Sequence, residues 1–212
     1  MMNTVVEKVK GFLLAPAESF RKSRGDSVGA AFRYYVVLLI IYTILAAIVA
    51  VAVGMYAFND MIAQLAQSGI VGSALADALG NMGSFVAAMT IFAVYLFFVI
   101  SLFGIFITGL VFHIFVLLFG GEKGLEKTIT TTMYASTPYF LLGWIPYVSI
   151  IGYVWYLVLL IIGIRETQEI DTGKALLVVI TPLILILILA LLGGIVIAAL
   201  MQGFLDMIPF MG

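Results

Sequence analysis

Long apolar runs separated by short polar segments dominate the pattern along the chain. A helix that crosses a membrane needs about 20 mostly apolar residues, and such runs occur at 34–58 and at 175–201. The run 85–119 also lacks Asp, Glu, Lys and Arg. Because it leaves no room for a turn, we expect a single helix there, longer than a bilayer is thick. The pattern predicts an all-α, polytopic integral membrane protein.

The uncharged stretch 134–163, YASTPYFLLGWIPYVSIIGYVWYLVLLIIG, is too long for one crossing. Pro146 interrupts it, since proline lacks an amide donor and disfavours helix in the residue before it. The neighbouring tryptophan and tyrosines favour a membrane–water interface. We therefore predict a hairpin of two short helices. The predicted spans are 34–58, 85–119, 128–143, 147–164 and 175–201, a domain of five helices over 34–206 that follows an N-terminal segment, 1–33.

Composition supports a bilayer as the solvent. The chain has 212 residues, of which 64% are hydrophobic and 10% charged, whereas soluble domains are about 45–50% apolar and about 25% charged. A net charge of −1 argues against nucleic-acid binding by bulk electrostatics. There is no cysteine and one histidine, so we expect no metal site and no cofactor.

The basic residues fall on one side of the predicted topology. Lys and Arg in short loops mark the cytoplasmic side of a membrane protein. With five crossings, all ten basic residues lie in the N-terminal segment or in the loops near 120–127 and 165–174. The opposite segments contain none. This distribution predicts a cytoplasmic N-terminus and an external C-terminus.

The N-terminal segment is amphipathic. An amphipathic helix that carries basic residues lies naturally along a cytoplasmic membrane surface. We therefore predict a membrane-surface anchor in this segment, before the first span. Its residues are Phe12, Pro16, Phe20, Arg21 and Lys22.

Candidate chemistry inside the spans is sparse. His113 is an ionisable group within a span, which is a functional-site hypothesis by default, although a neutral imidazole bonded to a neighbouring helix is the alternative. Thr132 and Ser136 share one helical face and indicate either close helix packing or a hydrated cleft. Pro138 and Pro182 are expected to kink their helices. Catalytic motifs are absent, so we do not expect an enzyme.

Several of these features together form a family pattern. Leu13 and Pro16 precede the first span, Tyr134-Ala-Ser-Thr-Pro138 opens the hairpin, and Lys174-Ala175 leads into the last helix. The chain resembles the Yip domain family (Ypt-interacting proteins), whose members have five spans and a cytoplasmic N-terminus. The resemblance implies a role without catalysis. Eukaryotic members act in membrane traffic and bind Rab-type GTPases, but this chain lacks their longer acidic, tyrosine-rich segment and is similar to short prokaryotic members.

Two functions follow as expectations. The first is a membrane scaffold or adaptor that organises protein partners or lipids at the cytoplasmic face of a prokaryotic plasma membrane. The second is a small transporter or channel that uses a polar cleft near His113, Thr132 and Ser136. Small residues in the helices are compatible with a homo-oligomer, and Gly193-Gly194 is expected to mark a close helix contact.

Overall fold

Every regular element of the described chain is helical. The computed structural model describes residues 4–69 and 72–207, with side chains through residue 204, and the all-α fold class is confirmed within them. A short 3-10 helix, Ser23–Gly25, follows the second helix. The α-helices are α1 Val5–Leu14, α2 Pro16–Lys22, α3 Val28–Gln67, α4 Ser73–Gly80, α5 Gly83–Leu118, α6 Leu125–Ala135, α7 Thr137–Leu142, α8 Ser149–Gln168 and α9 Thr172–Met207.

Local sequence explains where the N-terminal helices begin and end. Thr4 and Glu7 form a reciprocal capping box at the start of α1, which satisfies amide donors that have no partner inside the helix. Pro16 stands in the first turn of α2, where its missing N–H costs nothing. Ser27 accepts a hydrogen bond from Ala30 and caps α3. α3 therefore begins before the predicted first span and is already helical where that span starts.

Four helical stretches in the described residues are long and apolar enough to cross a membrane. They are Val28–Gln67, Ser73–Leu118, Ser149–Gln168 and Thr172–Phe204.

The predicted crossing at 128–143 is not among them, so the count of five is not confirmed. The structure divides this segment at Ser136 into α6 and α7, of 11 and 6 residues. Pro138 lacks the N–H that a continuous helix would donate to the carbonyl of Tyr134. That carbonyl instead accepts a hydrogen bond from the Thr137 hydroxyl at 2.6 Å. The threonines before the break also lower the hydropathy of the segment.

The core lies at one end of the helices. Buried residues of α3 run from Ala31 to Tyr42, and those of α5 cluster between Ile105 and Val116. Basic side chains of α1, α2, the α5–α6 loop and the C-terminal end of α8 surround this core, and we call this part of the molecule the basic end. The opposite end contains α4, the second half of α3 and the first half of α5. The turn at 143–148, which includes Pro146, joins α7 to α8.

Candidate functional site

Two N-terminal phenylalanines lie inside the basic end. Phe12 and Phe20 are fully buried. The Phe12 ring stacks on Tyr134 of α6 at a centroid distance of 4.8 Å and lies 4.9 Å from the Phe20 ring. A Cβ on Gly163 of α8 would stand 2.7 Å from the Phe20 ring, so only glycine leaves room for that ring. We call Phe12, Phe20 and Tyr134 the aromatic clasp.

The clasp changes the interpretation of the predicted membrane anchor. Phe12 and Phe20 face protein rather than lipid, because α1 and α2 pack on α7 and α8. Arg21 is bound to Glu166, and Lys22 pairs with Glu18. The two aromatic side chains that were predicted to anchor the segment in the bilayer are therefore covered by the helical bundle.

The outer face of α1 carries exposed apolar side chains. Val6 is 62% exposed and Leu14 is 83% exposed, and Lys10 lies between them on the same side of the helix. Pro16, also predicted as an anchor residue, is half-buried at the start of α2. The strongly exposed apolar residues of the N-terminal segment are thus Val6 and Leu14, and not Phe12 or Phe20.

A partly buried triad ties α1 to α6. The Lys8 ammonium donates to Asp26 at 2.6 Å and to the Tyr134 hydroxyl at 2.7 Å, and that hydroxyl donates to Asp26 at 2.5 Å. Burial raises the pKa of Asp26, but hydrogen bonds from Lys8 and Tyr134, with the charges of Lys8 and Lys127, outweigh it and hold that pKa below its usual value. The ionised carboxylate therefore joins three segments of the chain.

A second charged cluster joins α2 to the end of α8. The Glu166 carboxylate is nearly buried and accepts from Arg21 at 2.7 Å and from Arg165 at 2.6 Å. Arg24 donates to the Glu166 carbonyl and pairs with Glu169 at 2.9 Å. The helix α8 extends past the predicted end of its span at 164, and this extension carries the cluster.

His113 is buried at the basic end. Its Nδ1 lies 3.0 Å from the Thr128 hydroxyl, which also accepts from the Gln168 amide at 3.0 Å. Gln168 in turn donates to the Gly124 carbonyl. The imidazole thus contacts a neighbouring helix rather than lipid, and the network links α5, α6 and α8.

Thr132 and Ser136 do not join His113 in one site. Both are buried, but the Thr132 hydroxyl donates to the Ile129 carbonyl at 2.8 Å and Ser136 to the Thr132 carbonyl at 2.9 Å. Ser136 lines a cleft of about 320 Å³ with Tyr139, while neither His113 nor Thr132 lines it. Pro138 stands at the start of α7 and Pro182 inside α9.

Sequence reasoning missed the residues that hold the basic end together, chiefly Asp26, Tyr134 and Glu166. One signal could have identified Glu166: a carboxylate directly after Arg165 at the end of an apolar run has to be paired if that helix end is buried. Asp26 and Tyr134 gave no such signal, because they are 108 residues apart in the chain.

The fold defines the class of protein. Long apolar helices with exposed isoleucines, leucines and phenylalanines around them identify an integral membrane protein. The model of the Yip1 domain matches residues 10–195. The chain therefore belongs to the Yip1 domain family, which confirms the resemblance.

No curated protein and no solved structure is similar enough to be matched to the chain. The Yip1 family is not known as an enzyme family. Among the described residues, no three His, Cys, Asp or Glu side chains are grouped so that they could hold a metal ion.

Proposed function

We propose that the protein is a non-enzymatic membrane scaffold or adaptor that organises protein partners or lipids at the cytoplasmic face. The observation that carries this proposal is the fixed position of α1 and α2 on the bundle. The aromatic clasp and the Lys8–Asp26–Tyr134 triad hold them there, so they form a structured surface. Val6, Lys10 and Leu14 remain exposed on that surface.

We also propose that the basic end lies in the cytoplasm of a prokaryote, with five crossings of the plasma membrane. The segment 125–142 is about 27 Å long if helical throughout, close to the roughly 30 Å of a hydrocarbon core. The threonines of this segment lower its hydropathy, but they are buried against other helices. Their hydroxyl groups therefore need not contact lipid if the segment crosses the membrane. All ten basic residues then lie on one side.

A transporter has less support. The three residues that suggested a polar path are His113, Thr132 and Ser136. Their polar groups are bonded to Thr128 or to nearby backbone carbonyls. The cleft beside Ser136 is lined mainly by aromatic and aliphatic side chains. We therefore retain the scaffold as the proposed function.

Site-specific photo-crosslinking in native membranes tests the proposal. Probes replace Lys10 and Glu122, two exposed residues of the basic end, and a control probe replaces exposed Gln64 at the opposite end. A scaffold predicts one dominant protein partner, or a defined lipid, from Lys10 or Glu122 and not from Gln64. Equal, unspecific products from all three probes would contradict it. Deleting residues 1–24 is not a clean test, because Phe12 and Phe20 belong to the core.

A further inference from the structure

Two cavities follow each other along one face of α3. The first, of about 330 Å³, lies between α1 and the start of α3 and is lined by Thr4, Lys8, Arg33 and Val37. The second, also about 330 Å³, lies between α3 and α5 and is lined by residues that include Ile40, Ala47 and Val94.

The helix period places both cavities on the same side of α3. Positions 33, 37, 40, 44 and 47 are separated by three or four residues and therefore share one face. Val37, Ile40 and Ile44 are between 40% and 57% exposed on that face. A charged cavity near the N-terminal end of α3 thus continues into an apolar groove that is open to the bilayer.

The first cavity carries a net positive charge. The ammonium of Lys8 is neutralised by Asp26. Arg33 is exposed, and among the described side chains it makes no ion pair and no hydrogen bond. An arginine guanidinium matches the geometry of phosphate oxygens and remains charged at any physiological pH. The cavity therefore suits an anionic group rather than a cation.

The distances fit one lipid. Arg33 stands about 10 Å along α3 from Ile40 and about 21 Å from Ala47. One leaflet contributes about 15 Å of the hydrocarbon core. A headgroup phosphate at Arg33 would therefore place an acyl chain beside the residues that line the second cavity, which has almost no polar surface.

We propose that these two cavities form a binding site for a single anionic phospholipid. The headgroup phosphate contacts Arg33 beside Thr4 and Lys8, and one acyl chain occupies the groove between α3 and α5. This inference rests on the lipid part of the proposed function, because it requires the basic end to lie at a membrane surface.

Native mass spectrometry of the full chain tests the site. The protein is released from detergent micelles that contain phosphatidylglycerol or, separately, phosphatidylcholine. We expect one retained phosphatidylglycerol and little phosphatidylcholine. Arg33→Gln should weaken phosphatidylglycerol retention about fivefold, which corresponds to ~1 kcal/mol for one basic residue near an anionic surface. Ala47→Trp, which fills the apolar groove, should also weaken it.

Lys10→Gln is the matched control. It removes one exposed, unpaired positive charge from the described part of the basic end but lies outside both cavities. It should leave phosphatidylglycerol retention within about twofold of the unaltered protein, since electrostatic attraction falls off away from the bound headgroup. If Arg33→Gln and Lys10→Gln lose phosphatidylglycerol retention equally, the effect is one of bulk charge and the proposed site is wrong. Equal retention of phosphatidylglycerol and phosphatidylcholine would also overturn the site.

The crosslinking experiment separates this inference from the proposed function. If Arg33→Gln loses the lipid while the probe at Lys10 still captures the same protein partner, the lipid site and the adaptor role both stand as independent features. If lipid retention is unchanged by Arg33→Gln but partner capture persists, the lipid site is wrong and the adaptor role survives. If neither probe captures a protein partner or a defined lipid, the adaptor role fails whatever the mass spectrometry shows.

Discussion

The basic end and the opposite end of the molecule are built on different principles. At the basic end, aromatic rings, threonines and ion pairs fill the space among α1, α2, α3, α6 and α8. At the other end, α9 from Ile184 to Phe204 is almost entirely exposed. A Cβ added to Gly193 or Gly194 would meet no other described atom within 4 Å, so the expected close contact there is not made within the described chain.

This difference indicates which part of the molecule contains the side-chain contacts that determine the fold. Helices surrounded by lipid need no side-chain partner, because their backbone hydrogen bonds are made within each helix. At the basic end, two amphipathic helices and several charges have to be covered or paired, which fixes their positions. Substitutions at the two ends should therefore have different consequences for stability.

Phe20→Ala should give the largest effect. The ring is fully buried between Phe12 and Gly163, and removal of a buried phenylalanine costs about 3–5 kcal/mol. The measurement is the free energy of unfolding by sodium dodecyl sulfate titration in mixed micelles. Phe204→Ala, which alters a 62% exposed ring at the opposite end, should change it by less than about 0.5 kcal/mol. Similar losses in both variants would remove the distinction between the two ends.

Glu166→Gln comes next. The change leaves Arg21 and Arg165 without their carboxylate partner, and hydrogen bonds to charged groups are worth about 1.5–3 kcal/mol. We expect a loss in that range by the same titration. Asp60→Asn is the control, because Asp60 accepts from Gln64 in an exposed pair. An unchanged stability in Glu166→Gln would show that the cluster does not hold α2 to α8.

Gly163→Ala and Gly194→Ala should act in opposite directions. A Cβ at Gly163 would meet Thr131 at 2.6 Å and Phe20 at 2.7 Å, and overpacking of this kind costs about 1–3 kcal/mol. Gly194 has open space around it, and alanine is favoured over glycine inside a helix by about 0.5–1 kcal/mol. Thermal unfolding temperatures of the two variants provide the comparison. A loss in Gly194→Ala would indicate a contact with a further chain.

The smallest expected effect is on the pH dependence of stability. Since the folded pKa of Asp26 lies below its unfolded value, its ionised form stabilises the protein above about pH 4. That contribution is lost as the pH falls through the folded pKa. At neutral pH, Asp26→Asn should cost about 0.5 kcal/mol, because the carboxylate is partly exposed and solvent screens its pairing, and the difference from the unaltered protein should shrink in acid. A difference in stability that stays constant from neutral to acidic pH would contradict the role of Asp26 in the triad. Glu18→Gln is the control, because Glu18 forms an exposed pair with Lys22.

The sequence predicted the fold class and family well because both depend on long apolar runs and fixed prolines. It did not predict the surroundings of Phe12 and Phe20. Helical periodicity identifies an apolar face, but lipid and protein cover such a face equally well, and the partner Tyr134 is more than 100 positions away. Pairing over that distance leaves no local pattern.

The sequence identified individual residues of the candidate polar site but not their hydrogen-bond partners. His113 could be identified because it is the single histidine of the chain, whereas its partner Thr128 is one of several threonines in the same helix. Thr132 and Ser136 share the predicted face, but their hydroxyls bond to carbonyls three or four residues earlier. Hydroxyl groups in helices have this local option, so their spacing does not reveal a shared site.

The central claim is that α1 and α2 are docked on the bundle when the protein is in a bilayer. The chain contains no cysteine, so spin labels can be attached to cysteines introduced at Lys10 and Glu122 without further changes. Double electron–electron resonance in lipid nanodiscs should give one narrow distance distribution, and Phe20→Ala should broaden it. A broad distribution in the protein without that substitution would contradict the account, because it would mean that the N-terminal helices lie free on the membrane.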